Sequence, residues 1–294
     1  PQRRPASAIQ GRVRYSAGPA GPGPTIMLLP LGGGFLNTKS GHVADAAGTF
    51  EIAGITPGSY VLTAFLADDS RRQTGQIPVE VGPERIEGLE ITLTPGVNFG
   101  GRIRVEGDTA MRLENMRVVL QPSVTAFNFM QAPVRSDGTF VFEGVAPDTY
   151  ALKFSGMPEE GYVKRVRFGD GEPEGGRISV SGAGAGPFEV VLAPASALEG
   201  VVLDERDKPA AATVALVPEG QARSRAYWCK TAETGVGGRF TLRGVAPGDY
   251  RLIALAEGDG DELCTGAGEL SGGEKVAVQE NAKQSVQVRL RTAR

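Results

Sequence analysis

The stretch GTFEIAGITPGSYVLTAF, from Gly48 to Phe65, recurs as GTFVFEGVAPDTYALKF from Gly138 to Phe154 and as GRFTLRGVAPGDYRLIAL from Gly238 to Leu255. Within each copy, an apolar pair two positions apart follows a glycine: Phe50 and Ile52, Phe140 and Phe142, Phe240 and Leu242. Period two is the signature of a strand buried on one face. The strand closes at Gly54, Gly144 or Gly244, and a turn follows at Pro57-Gly58, Pro147-Asp148 or Pro247-Gly248. Proline presets the first turn dihedral, and glycine or aspartate accepts the second. The chain then returns as a second strand that opens on Tyr60, Tyr150 or Tyr250, with a leucine two residues on. A tyrosine at such a corner buries its ring and returns its hydroxyl to the backbone. Phe50, Tyr60, Phe140, Tyr150, Phe240 and Tyr250 are therefore expected to form the repeated core.

The copies start 90 and 100 residues apart, which is the size of a whole small β-domain rather than of a solenoid repeat. A start strand precedes each copy (IQGRVRY from Ile9, NFGGRIRV from Asn98, LEGVVLDE from Leu198), and an end strand follows it (LEITL from Leu89, FEVVL from Phe188, VQVRL from Val286). No window carries a capped helical stripe. The expected fold is all-β: three tandem immunoglobulin-like antiparallel β-sandwich domains with very little helix. A flexible tail covers 1–7, and the domains cover 8–95, 96–194 and 195–294. Their joints, Thr94-Pro95-Gly96 and Ala193-Pro194-Ala195, are short and stiffened by proline.

The block G-x-F-x-x-x-G-[IV]-x-P-x-x-Y, from Gly48 to Tyr60, Gly138 to Tyr150 and Gly238 to Tyr250, resembles the carboxypeptidase regulatory-like domain, the transthyretin-like or prealbumin-like sandwich of secreted bacterial proteins. LEGVVLDERDKPAAATVALVP from Leu198 continues that resemblance, and GMPEEGYVKRVRFGD from Gly156 is similar to multi-domain acidobacterial members. The resemblance implies a sandwich of about seven strands, export, and no catalysis by the domain itself. Collagen-adhesin B-type domains share the sandwich and carry lysine-to-asparagine crosslinks. The start strands here offer arginines (Arg12, Arg14, Arg102, Arg104) but no lysine, and the end strands hold no asparagine, so no such crosslink is expected.

Composition narrows the function. Of 294 residues, 40% are hydrophobic and the net charge is only −3, so no strong field draws nucleic acid or an anionic membrane. Glycine and proline make up about a fifth of the chain, below the level of low-complexity sequence. No apolar run is long enough to span a bilayer. The chain opens at Pro1, as expected of a processed or partial polypeptide. The single histidine, His42, on an expected strand, leaves acid/base triads and histidine-rich metal centres without raw material. No cofactor is expected.

Six places stand out as candidate sites. Cys229 and Cys264, 35 positions apart in the third domain, read as a disulfide worth about 3–4 kcal/mol by loop-closure entropy, or else as two reduced buried thiols. Trp228, the only tryptophan, reads as core packing or as a sugar platform. Phe127, Phe129 and Met130 in TAFNFMQAP read as inward packing or as an apolar contact tip. Phe35, in LGGGFLN, marks a comparable tip in the first domain and not a phosphate loop, because no Lys-Ser/Thr follows. The runs GDGEPEG and EGDGDE read as solvated turns, with Asp259 and Asp261 as calcium candidates that fall short of an EF-hand loop. The N-terminal PQRRPAS reads as a disordered end or as a segment that orders on another subunit.

The expected protein is a non-catalytic extracellular structural or adhesive element, secreted or on the cell surface, with the periplasm also open to it. Its expected partner is a second copy, forming a filament by edge-strand and loop-tip contacts, or another envelope protein. The alternative is a carbohydrate- or envelope-binding module without self-assembly, with a polysaccharide as ligand.

Overall fold

The alternating patterns become strands in every copy of the repeat. The structure, a computed structural model, describes residues 7–16, 23–31, 38–42, 47–67, 72–122, 129–181, 186–256, 260–264 and 272–291. A first group of strands comprises β1 (Ser7–Tyr15), β2 (Thr25–Pro30), β3 (Lys39–His42), β4 (Thr49–Ile55), β5 (Gly58–Ala67), β6 (Arg72–Val81) and β7 (Ile86–Pro95). A second comprises β8 (Val97–Val105), β9 (Arg117–Pro122), β10 (Met130–Pro133), β11 (Thr139–Val145), β12 (Asp148–Ser155), β13 (Gly161–Phe168), β14 (Arg177–Val180) and β15 (Phe188–Pro194). The third comprises β16 (Ser196–Leu203), β17 (Thr213–Pro218), β18 (Lys230–Glu233), β19 (Arg239–Val245), β20 (Gly248–Leu255), the five-residue α1 (Gly260–Cys264), β21 (Glu274–Val278) and β22 (Lys283–Arg291). No described helix is long and apolar enough to cross a membrane.

Strand order repeats with variation: β3-β2-β5-β6-β7-β1-β4 in the first group, β10-β9-β12-β14 and β11-β8-β15-β13 in the second, and β18-β17-β20-β22-β16-β19 with β21 on β20 in the third. In the first group β6 joins the two faces of the sandwich, pairing β5 along its length and β7 at Gln73 and Thr74. The architecture is all-β and consistent with sandwiches, as the alternation predicts. It departs from a wholly antiparallel one at a repeated place, and in the third group also where β20 runs parallel to β22. The start strand runs parallel to the end strand in each group, β1 beside β7, β8 beside β15 and β16 beside β22. A second difference is at the N-terminal side: Ser7, assigned by the sequence to the tail, opens β1, is buried, and donates from its hydroxyl to the Glu84 carbonyl. Residues 1–6 lie outside the described residues.

Each group has its own apolar core. The repeated Phe50, Phe140 and Phe240, and Tyr60, Tyr150 and Tyr250, are all at most 5% exposed. The phenylalanine always sits across from a glycine: Gly11 pairs with Phe50, Gly101 with Phe140 and Gly200 with Phe240. On its other side the same glycine pairs with the end strand, at Leu89, Phe188 or Val286. A Cβ at Gly200 would lie 2.5 Å from both Phe240 Cζ and the Val286 carbonyl oxygen. The missing side chain is thus the space that the ring occupies.

The tyrosine of each copy closes its corner. Tyr60 donates to the Thr56 carbonyl at 2.7 Å, Tyr150 to Ala146 at 2.9 Å and Tyr250 to Ala246 at 2.8 Å. Each bond gives the buried tyrosine hydroxyl a partner on a turn carbonyl, at a net worth of about 1 kcal/mol. Burial pushes the Tyr150 and Tyr250 hydroxyls well above the ordinary tyrosine range, assisted by Asp148 beside Tyr150 and by Tyr162 beside Tyr250. Well below about pH 10, the ordinary tyrosine value, folded and unfolded chains hold the same tyrosyl protons. Above it the unfolded chain loses them and the folded chain keeps them, so stability falls as pH rises. Urea midpoints measured from pH 8 to 11 are expected to hold until about pH 10 and then drop; a flat profile across that range would contradict the buried corners.

Candidate functional site

The structure gathers the polar and aromatic residues left over from the cores at the joints between groups. The richest set lies between the second and third. The connection from β17 to β18 forms two short 3-10 turns, Gly220–Ser224 and Ala226–Trp228, and carries Arg225, Tyr227 and Trp228 onto the second group. The Trp228 indole N–H donates to the Val163 carbonyl in β13 at 2.7 Å. Its ring meets Tyr162 edge to face at 6.1 Å, and the Arg225 guanidinium covers it at 4.7 Å. Tyr162, Ala193 and Ala246 pack together with Trp228 and Ala195 against them. Tyr227 stands edge to face with Phe154 at 5.5 Å and packs on the second group's core. Two ion pairs rim the contact, Arg243 with Glu159 at 2.8 Å and Arg225 with Glu172 at 3.8 Å. Such exposed pairs set register more than they add stability.

Behind this contact, Lys230 opens β18, and burial lowers its pKa. A depressed lysine makes stability rise with pH, the reverse of the tyrosines. That gain continues until an unfolded lysine has also lost its proton, somewhat above about pH 10.4, so it offsets part of the tyrosines' loss near pH 10 while the two tyrosines outweigh the one lysine at higher pH.

The joint between the first and second groups is simpler. The Gly96 amide donates to the Arg72 carbonyl at 2.9 Å, and the Arg72 side chain lies over Gly144. The Gly144 amide is held by the Asn98 side chain at 2.7 Å.

The remaining candidates fall as follows. Cys229 and Cys264 are bridged, with their Cα atoms 5.5 Å apart, and Cys264 ends α1. Trp228 is half-buried in the joint with its N–H already bonded, and so is not an exposed sugar platform. Phe129 is exposed and precedes β10, whereas the adjacent Met130 packs on the second group's core, so that short stretch both packs inward and reaches solvent. Phe127, Phe35 and Asp259 lie outside the described residues, and Asp261 falls within α1. Among the described residues no three His, Cys, Asp or Glu side chains are grouped to hold a metal ion. His42 lies in β3.

The sequence pattern did not single out Tyr162, Arg225, Tyr227, Ala246 or the Arg243–Glu159 pair. The available signal was the clustering of Arg225, Tyr227 and Trp228 beside a cysteine in a connection whose own sandwich has no need of them.

No family model matches this chain, so the resemblance to the carboxypeptidase regulatory-like domain rests on its motif residues. No curated protein matches it either. Among solved structures, the Bacillus anthracis TIE protein is 14% identical, with 97% of this chain matched to 50% of that one at a TM-score of 0.25; this chain thus spans about half its length. A streptococcal ancillary pilin is 10% identical, covering 98% of this chain and 100% of its own at a TM-score of 0.26. BcpA, the major pilin subunit of Bacillus cereus, is 11% identical, covering 97% and 99% at a TM-score of 0.23.

Proposed function

We propose that this chain is a non-catalytic extracellular structural or adhesive protein, made of three tandem carboxypeptidase regulatory-like sandwiches set end to end, which self-associates through the open end of its first domain. The observation that carries this reading is a single repeated position. Gly54, Gly144 and Gly244 all adopt positive φ, between 64° and 73°, at the same place in the motif. Gly244 is buried against the second group, where a Cβ would lie 3.2 Å from the Gly161 carbonyl oxygen. Gly144 is half-buried under Arg72 of the first group, 3.1 Å from where its Cβ would be. Gly54 is exposed, with nothing within 4 Å of such an atom among the described residues. Two positions on, Ala146 and Ala246 are buried and Thr56 is exposed. Among the described residues nothing covers, on the first group, the surface by which the other two sit against a neighbour, and a second copy can supply that neighbour.

Two further observations support the reading. The motif strands β4, β11 and β19 are outermost in their sheets, which leaves edges for strand addition. The disulfide fits an oxidising compartment. A polysaccharide ligand has no comparable observation behind it.

The test is light scattering and negative-stain electron microscopy of the chain and of Thr56→Trp, whose bulk at an exposed position blocks the open end. The native chain is expected to gain mass with concentration and to form end-to-end arrays, and the variant is expected to stay monomeric. A native chain that remains a separate three-lobed particle at high concentration would remove self-association and leave a spacer.

A further inference from the structure

We infer that the Cys229–Cys264 disulfide is the lock of the joint between the second and third groups: it holds the 220–228 connection against the second group, and the stiffness of the joint depends on it. The inference requires neither self-association nor any particular location of the protein.

On the third group's side the connection runs into β18, which pairs with β17 from Lys230 on, and the bridge adds a second tie immediately beside the clasp. Leu263 of α1 is buried with Ala215, Val217 and Ile253 on the outer face of β17 and β20, and Cys229 packs against the same cluster. The bridge therefore ties the residue next to Trp228 to an anchor on the third group's own sheet. At the other end, Trp228 and Tyr227 reach Val163, Tyr162 and Phe154 of the second group. The connection itself consists of two 3-10 turns without N-terminal side-chain caps, a form too short and too poorly bonded to be stiff by itself.

The covalent link between the groups does not supply that stiffness. A single residue, Ala195, separates β15 from β16, and its amide donates to the Glu160 carbonyl at 2.8 Å. Beside this one-residue link the groups also meet through the Arg243–Glu159 pair, through Gly244 and Ala246 and through the Trp228 contact, and only the Trp228 contact lies next to the bridge. The other two sandwiches have the same connection between their second and third strands, at 31–38 and 123–129, and neither contains a cysteine. Both cysteines of the chain serve the connection that, among the described residues, clasps a neighbouring group.

The full-length chain tests this, because Trp228 is its only tryptophan and its emission reports the joint. In the double variant Cys229→Ala/Cys264→Ala, a red-shifted emission, easier quenching by acrylamide and a broader distance distribution between dyes on the second and third groups are expected, with far-UV circular dichroism unchanged. A second variant covers the case in which loss of the bridge unfolds the third group. Insertion of two glycines between Trp228 and Cys229 keeps the bridge but cuts its tie to the clasp, and the same broadening is expected. Native-like emission and distance distribution in the insertion variant, or in a folded double variant, would overturn the inference.

Discussion

Gly200→Val is expected to abolish folding of the third sandwich or to cost it more than about 3 kcal/mol, the upper part of the overpacking range. The first branched carbon would arrive 2.5 Å from the Val286 carbonyl oxygen and 2.5 Å from Phe240 Cζ. Neither obstacle yields cheaply. The oxygen belongs to the parallel ladder that joins β16 to β22, and the ring is almost wholly buried among Leu198, Leu216 and Leu252. The same glycine faces the same ring at Gly11 and Gly101, so the three equivalent substitutions should each strike their own sandwich. Urea unfolding of the chain, followed by circular dichroism and Trp228 emission, checks this. A Gly200→Val protein with native midpoint and cooperativity would show that the ring and the ladder have room to move.

Phe140→Ala is the second large effect, with an expected loss of about 3–5 kcal/mol from the second sandwich. Phe140 stands edge to face with Phe188 at 5.1 Å and with Phe142 at 6.0 Å, and Phe99 and Phe168 complete the cluster around Phe188. Edge-to-face pairs add about 0.5–1.5 kcal/mol beyond area burial, so truncation removes contacts as well as opening a cavity. A small domain holds only about 5–15 kcal/mol in reserve, so the loss takes much of it. Calorimetry should show one transition moved to lower temperature while those of the first and third sandwiches stay in place. A uniform shift of all transitions would mean instead that the three unfold as one unit.

The elements most legible in the sequence were those whose cause is local. Alternation at Phe240 and Leu242, the Pro247-Gly248 turn and the Tyr250 corner depend on residues within a dozen positions of one another, and the structure places all of them as the pattern implies. The parallel pairing of β16 with β22 was not legible, because Val286 and Gly200 meet only after the whole sandwich has closed. The clasp was further still from view. Trp228 satisfies its N–H on Val163, 65 positions away and in another group of strands, and no periodicity inside either group encodes that meeting. The short α1 was hidden for a similar reason: its Leu263 covers a sheet face, and a five-residue helix carries too little pattern to announce itself.

The parallel pairing of start and end strands has a mechanical consequence. Because β16 enters and β22 leaves side by side in the same direction, the two points at which tension is applied lie at opposite ends of one ladder. Pulling on the chain then slides the two strands past each other. The hydrogen bonds of a parallel ladder are evenly spaced, so the load is shared among them instead of opening them one at a time like a zip. The same geometry recurs at β1 with β7 and at β8 with β15, so force transmitted along the chain meets three such ladders in series. A molecule wired in this way is suited to bearing a pull between whatever is attached at its two ends.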